Sequence, residues 1–320
     1  MFLLIIVYGY ILVAGLIIYF VIRDRKKPNL FFGRFKFLSV LLTTALFFGI
    51  ILALYATLIE PYCLKINNIN IKNEKLSGIK IAFVSDLQVG MHKKYLWSKK
   101  IARAVDEAKP DLIIIGGDMI SNEGTFEDES IYLSPLQIWQ NKYPVFYVLG
   151  NHEYGIGGTV KNKPEKYTGD RSALVIDRFN QFGFNLLKNS LDCSIIKNKA
   201  ICLFGIAEIW KDKTDFSELN NWDKNIPLIL ITHNPDGILE FPTNLSRPDL
   251  TLSGHTHGGQ IWIPFFGPLT GAQTILQKEY YRGLNYFNDA PIFTSVGAGE
   301  SGTSLRFFAM PEIVIIEFTE

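Results

Sequence analysis

The segment IKIAFVSDL, residues 79–87, is a run of β-branched and apolar side chains that breaks at Asp86. Such a run reads as a strand buried on both faces and leading into a polar loop. The same pattern recurs along the chain. DLIIIGGD (111–118) ends in Asp118, and VFYVLGNHE (145–153) runs through Asn151 and His152. LILITH (228–233) ends in His233, and LTLSGH (250–255) leads into His255-Thr256-His257. Helical spacing at Ile101, Ala104, Val105 and Ala108, stopped by Pro110, predicts a helix over 97–108. Further helices are expected near 131–141 and 172–182, with a hairpin at 192–206 and strands at 292–297 and 312–318. The alternation predicts an α/β sandwich with its sheets inside and helices outside.

Ligands bind at the carboxyl ends of strands in open α/β sheets, so the five strand-end loops are expected to converge on one site. The chain has five histidines, and all but His92 fall in these loops. Mixed Asp, Asn and His donors suit borderline-to-hard divalent cations such as Mn²⁺, Fe²⁺ or Zn²⁺, not a thiolate-rich structural zinc site. Glycines at 116, 117, 150, 254, 258 and 259 let the loop backbones turn tightly and approach the ions.

In order, Ser85-Asp86-Leu87-Gln88, Gly116-Gly117-Asp118, Gly150-Asn151-His152-Glu153, His233 within ITHNPD, and Gly254-His255-Thr256-His257 resemble the calcineurin-like metallophosphoesterases. The resemblance covers about residues 79–260. The GHTHGGQ form and the later RFF-x-x-PEI segment (306–313) are similar to a membrane-associated bacterial branch of that superfamily. It implies a four-layer α-β-β-α sandwich and two divalent ions bridged by Asp118. Asp86 and His257, with Gln88 beside them, would hold the first ion; Asn151, His233 and His255 would hold the second. His152 would not ligate but would hydrogen-bond the leaving-group oxygen or the phosphoryl group in the transition state. The implied reaction is phosphoester hydrolysis by a metal-activated water. Position 88 departs from the pattern, since the family usually has His there. A neutral amide binds transition metals less strongly than imidazole, which leaves room for a harder ion such as Mn²⁺ or Mg²⁺.

The chain outside this region has its own pattern. Of 320 residues, 48% are hydrophobic, 13% aromatic and 20% charged, which excludes a disordered chain, and three cysteines exclude a disulfide-stapled mini-protein. Residues 2–22 and 37–59 carry no charge, and each run is long enough to cross the hydrocarbon core. Between them, residues 23–36 hold six cations and one acid. That loop is therefore +5, the remainder −4, and the overall +1 a cancellation. The expected organisation is a helical hairpin anchor over 1–60 and a metallophosphoesterase domain over 61–320. A short basic loop favours the cytoplasm, placing the domain on the extracytoplasmic face of a cell (inner) membrane as a multi-pass protein. The inverted orientation is the alternative. The expected partners are the bilayer and a phosphoester substrate, a lipid or envelope phosphoester being one reading. A nucleotide or cyclic-nucleotide phosphodiesterase is another, and a non-catalytic metal-binding module weakened by Gln88 a third. Near-neutral charge argues against dedicated nucleic-acid binding.

Other residues carry weaker expectations. Cys193 and Cys202 flank a hairpin turn and can pair only if the register sets them opposite; they are read as buried thiols. His92, Lys93 and Lys94 read as a solvated loop, with a phosphate-binding rim as the alternative. Glu153 reads as orienting a ligand or capping a turn, and Asn234 and Asp236 as partners of His233. Arg282 and Arg306 are split between contacting phosphate and lying exposed on the surface. Trp262, Pro264, Phe265 and Phe266 are split between an apolar rim beside the site and ordinary packing.

Overall fold

A computed structural model of the chain describes residues 2–122, 127–157, 165–166, 169–269, 271 and 273–320. Helices α1 (Phe2–Asp24) and α2 (Lys36–Leu54) lie at the start, and the second continues as one π turn, Tyr55–Ile59. By length and composition both could cross a membrane. Only 11% and 6% of their apolar windows are buried, so neither is a core helix of the globular part. Large side chains such as Leu12, Phe37 and Phe47 face outward instead.

The globular part is built on two six-stranded sheets. The first contains β1 (Lys65–Lys72), β2 (Lys80–Val84), β3 (Leu112–Ile115), β4 (Val145–Tyr147), β5 (Asn185–Leu186) and, from the far end of the chain, β12 (Glu312–Thr319). Its order is β1-β12-β2-β3-β4-β5, parallel except where β12 meets β2. The second contains β6 (Ser190–Ile196), β7 (Lys199–Gly205), β8 (Leu228–Ile231), β9 (Leu250–Ser253), β10 (Gly283–Phe287) and β11 (Ala290–Thr294). Its order is β10-β11-β9-β8-β7-β6, parallel through the middle and closed by an antiparallel strand at each edge.

Strand periodicity explains why these segments are apolar throughout. Ile81, Phe83, Ile114 and Phe146 point between the sheets, against Leu203, Ile229, Ile231 and Phe293. The alternate residues Ala82, Val84, Ile113 and Tyr147 point outward, under the helical layer. A strand covered on both faces loses the usual polar alternation. The cover is α3 (Tyr95–Ala108), which presents Trp97, Ile101 and Val105, and α4 (Ser172–Gln181), which presents Val175 and Phe179. Helix α3 stops where Lys109 turns into the left-handed region ahead of Pro110. The opposite layer is thinner, with the 3₁₀ turns Ser217–Asn221 and Pro235–Glu240 bringing Leu219 and Ile238 onto the second sheet.

Two expectations change, and one strand is new. The helix near 131–141 is a 3₁₀ segment, Glu129–Trp139, because Pro135 removes a backbone donor inside it. Strand β1 was not anticipated, since KINNINIK is rich in asparagine and sits at a sheet edge. The cysteines are not free thiols: register sets Cys193 directly opposite Cys202, and they form a disulfide. In protein extracted with an alkylating agent present, mass spectrometry should find Cys63 alone modified, and all three cysteines modified after reduction and unfolding. Three modified cysteines before reduction would overturn the cross-strand pairing.

Candidate metal centre

The carboxyl ends of β2, β3, β4, β8 and β9 meet at one edge of the sandwich, bringing together all seven residues read as ligands. Two groups of donor atoms form there, Asp86–Asp118–His257 and Asp118–His233–His255, the atoms within each lying within 4.8 Å of one another. Asp118 belongs to both. Its Oδ2 lies 3.2 Å from His233 Nε2, and Asp86 Oδ1 lies 3.6 Å from His257 Nε2. Asn151 Oδ1 is 3.1 Å from His233 Nε2 and 3.0 Å from His255 Nδ1.

Three of these side chains are aimed by a second hydrogen bond to a backbone carbonyl. His233 Nδ1 pairs with the Gly116 carbonyl at 2.8 Å, and His257 Nδ1 with that of Gly299 at 3.1 Å, leaving both Nε2 atoms facing inward. Asn151 donates Nδ2 to the Ile156 carbonyl at 2.6 Å, which turns its oxygen toward the two imidazoles. Partners of this kind fix the tautomer and direction of metal-binding side chains. His152 is oriented differently: Nδ1 meets the Ser121 carbonyl at 2.5 Å, and Nε2 stands 3.9 Å from Asp118.

The backbone is bent to make this possible. Asp86, Gln88, Asp118, His255 and His257 all have φ between 49° and 69°, a region that side chains with a Cβ rarely adopt. Gly117, at φ 89°, has no room for a Cβ, which would strike the Gly150 nitrogen and the His233 ring. Glu153 holds the bends in place. Its buried carboxylate accepts from the backbone N–H groups of Asp118, Met119, Ile120 and Gly150 at 2.6–3.3 Å. Orienting through the backbone is therefore its part, in line with the sequence reading.

The electrostatics fit cations. Burial, with Asp118 as a like-charged neighbour, pushes the Asp86 carboxyl up to about 6, against the pull of His233. Burial opposes a charge on His233 too, yet Asp118 and Asp86 outweigh it and raise the imidazole well above its usual value. Burial and the neighbouring His233 push His255 down to about 3. Buried charge this crowded is the setting divalent ions stabilise. A further sign of fit is Gln88: Nε2 donates to Asp118 Oδ2 at 3.0 Å, while the buried Oε1 has no hydrogen-bond partner among the described residues. A buried amide oxygen without a donor is an available hard ligand.

Several weaker expectations are corrected. Asn234 and Asp236 do not support His233; Asp236 accepts from the Ile275 and Leu276 nitrogens. Arg306 is neither exposed nor directed at substrate. It is fully buried, bonded to Glu300 and to the carbonyls of Ala309, Val296 and Gly299. Lys93 is buried on Glu300 at 2.7 Å, with its ammonium 3.8 Å from the Trp97 ring centroid. Ser301, whose Oγ lies 3.4 Å from His152 Nε2, carried no sequence signal.

Residues 79–259 match the calcineurin-like phosphoesterase family. The chain is 32% identical to the phosphodiesterase YaeI of Escherichia coli (strain K12) over 252 residues, 76% of this chain and 83% of that one. It is 28% identical to the uncharacterized metallophosphoesterase YkuE of Bacillus subtilis (strain 168) over 270 residues, 82% and 87% of the two chains. Against the UDP-2,3-diacylglucosamine pyrophosphatase LpxG of Chlamydia muridarum, identity is 26% over 325 residues, 87% and 96%. Two packed mixed sheets with carboxylates and imidazoles gathered at their strand ends, together with the family match over residues 79–259, identify a phosphoester hydrolase. The chain belongs to the calcineurin-like phosphoesterase family, which works with divalent metal ions.

Replacing Glu153 by Ala leaves four backbone donors without their acceptor. Glu153→Ala should cost about 3–4 kcal/mol in thermal or denaturant unfolding, and Glu153→Gln, which keeps one oxygen, less. An unchanged unfolding midpoint in the alanine variant would show that the loops hold their shape without this carboxylate.

Proposed function

We propose that the chain is a membrane-anchored phosphoester hydrolase whose Asp118 carboxylate is shared by two divalent cations. Residues 1–60 serve as the anchor and 61–320 as the catalytic unit, and the substrate is a lipid or envelope phosphoester outside the cytoplasm. The observation that carries the reading is the membership of Asp118 in both donor groups. Asp86, Gln88 and His257 would hold one ion, and Asn151, His233 and His255 the other. When bound, the pair supplies Lewis-acid polarisation of the phosphoryl group and acidifies water. Mn²⁺, Fe²⁺ and Zn²⁺ suit the imidazole side, and Mn²⁺ or Mg²⁺ suits the oxygen-rich side at Gln88.

The chain's own groups do the rest. His152 is locked through Nδ1 to the Ser121 carbonyl, so a protonated ring presents Nε2–H to the cleft, where it can hydrogen-bond or protonate a leaving oxygen. Ser301 Oγ lies beside that nitrogen and limits the ring's swing. The buried Lys93–Glu300–Arg306 cluster holds the segment that carries the Gly299 carbonyl under His257. The cleft has a volume of about 180 Å³, below the about 300–1,000 Å³ of pockets that enclose drug-sized ligands. Asp118, Asn151, His152, His255 and His257 are among the residues that line it, a polar setting for a phosphoryl group.

Three observations support the lipid and compartment readings. LpxG is named for a diacylated pyrophosphate, and the Cys193–Cys202 disulfide belongs with an oxidising compartment. The +5 loop between α1 and α2 favours the cytoplasmic side, which supports a reading with residues 61–320 outside.

The full chain in detergent, loaded with Mn²⁺, is expected to hydrolyse bis(4-nitrophenyl) phosphate. His257→Ala should lower the rate by about a hundredfold or more, and His152→Ala by about a hundredfold with its metal content unchanged. Near wild-type turnover in His257→Ala would sink the two-cation assignment. For orientation, alkaline phosphatase fused after Glu320 should be active in cells of a bacterial host. A fluorescent cytoplasmic reporter at the same place would reverse the compartment.

A further inference from the structure

We infer that the ribbon Trp262–Pro268 is a wedge that sits in the interface of an anionic phospholipid bilayer and delivers bilayer-resident substrate to the metal centre. This rests on the reading of α1 and α2 as a membrane anchor.

The ribbon pairs Trp262–Ile263 with Gly267–Pro268, and its tip is Pro264-Phe265-Phe266. Phe265 and Phe266 are 104% and 81% exposed. Phe265 is also held at φ 70°, a conformation that costs a bulky residue and persists only where the surrounding turn imposes it. Two adjacent, fully presented phenylalanines on a formed turn are a cost in water and a gain in lipid.

The foot of the ribbon is continuous with the anchor. Ile261, Leu305 and Phe307 pack with Ala56 of the π turn after α2 and with Leu3 and Val7 of α1. Trp262 N donates to the Phe307 carbonyl at 2.8 Å, and Arg306 N to the Ala56 carbonyl at 3.0 Å. The ribbon therefore starts where both apolar helices meet the globular part, and its tip lies only four residues beyond Ile261. The chemistry around it is that of a membrane interface, aromatic with cations nearby. The Arg282 guanidinium lies 3.8 Å over the Trp262 ring, and Lys278, with Glu279 next to it, is exposed near Gly267. Where the chain leaves the anchor, α3 adds a second such edge. Exposed Leu96 stands among Lys99, Lys100 and Arg103, and Lys100 bonds the Tyr62 carbonyl at 2.9 Å. Cations on both edges select anionic headgroups.

The wedge also borders the site. Gly259 and Gln260, which line the cleft, directly precede Ile261. A polar cleft at the foot of an apolar ribbon suits a substrate whose phosphoryl end enters while its tails stay in the bilayer.

The test uses the full chain with Cys63→Ser in vesicles of phosphatidylglycerol and phosphatidylethanolamine. A fluorophore is attached at Phe266→Cys or, as a control at the opposite ends of the strands, at Lys75→Cys. Nitroxide-labelled lipids should quench the label at 266 strongly and the label at 75 hardly at all. In the Phe265→Ser, Phe266→Ser double variant, the ratio of turnover of a chromogenic phospholipid to that of bis(4-nitrophenyl) phosphate should fall about tenfold. Equal quenching at the two positions, or an unchanged ratio, overturns the wedge. Absence of wild-type turnover on both substrates would instead overturn the hydrolase reading, and label depth would still decide the wedge.

Discussion

The structure depends on one carboxylate. Asp118 takes a hydrogen bond from the His152 nitrogen on one oxygen, faces His233 and Gln88 with the other, and stands within reach of Asp86 and His255 besides. A fully buried anion approached from so many directions requires several loops to reach one point without obstructing one another. That requirement explains the run of left-handed backbone at Asp86, Gln88, Asp118, His255 and His257, and the missing Cβ at Gly117. The sheets exist at this edge to supply strand ends, and the strand ends exist to present lone pairs.

The orienting groups are mostly backbone. Carbonyls of Gly116, Ser121, Ile156 and Gly299 aim the imidazoles and the asparagine, and Glu153 returns the favour by gathering backbone N–H groups. A site aimed by main-chain atoms inherits the rigidity of the strands behind it, whose side chains fill the layer between the sheets. Positioning and stability are here a single property of the fold.

This division also explains what could be read from the residues alone. The strands ending at Asp86, Asp118, Asn151, His233 and His255 were legible because an apolar run buried on both faces ends in an abrupt polar boundary. The strand-end residues were legible as candidates for the same reason; the set of seven ligands, with Gln88 included and His152 left out, was what the family resemblance implied, and the structure gathers their side chains at one edge. The carbonyl partners were not, since every residue carries a carbonyl; Asn234 and Asp236 were the polar neighbours in sequence, whereas His233 uses Gly116, far away in the chain. Arg306 was read as surface or substrate contact because arginine is rarely buried, and only the folded 296–309 segment supplies enough acceptors to bury it. Edge strand β1 escaped because five of its eight residues are asparagine or lysine, and the cysteine pair awaited the hairpin register.

The joint between the helical hairpin and the sandwich is braced, not hinged. Glu60 accepts from the Ala309 nitrogen, Arg306 reaches the Ala56 carbonyl, and Arg306 also grips the Gly299 carbonyl that supports His257. A catalytic unit on a slack tether samples a hemisphere of solution and responds to bulk molarity. One bolted at its base would sweep only a plane, so its rate would track the mole fraction of substrate in that plane and saturate by lateral diffusion. Diluting the same substrate with inert lipid would then slow it, whereas diluting the suspension with buffer would not.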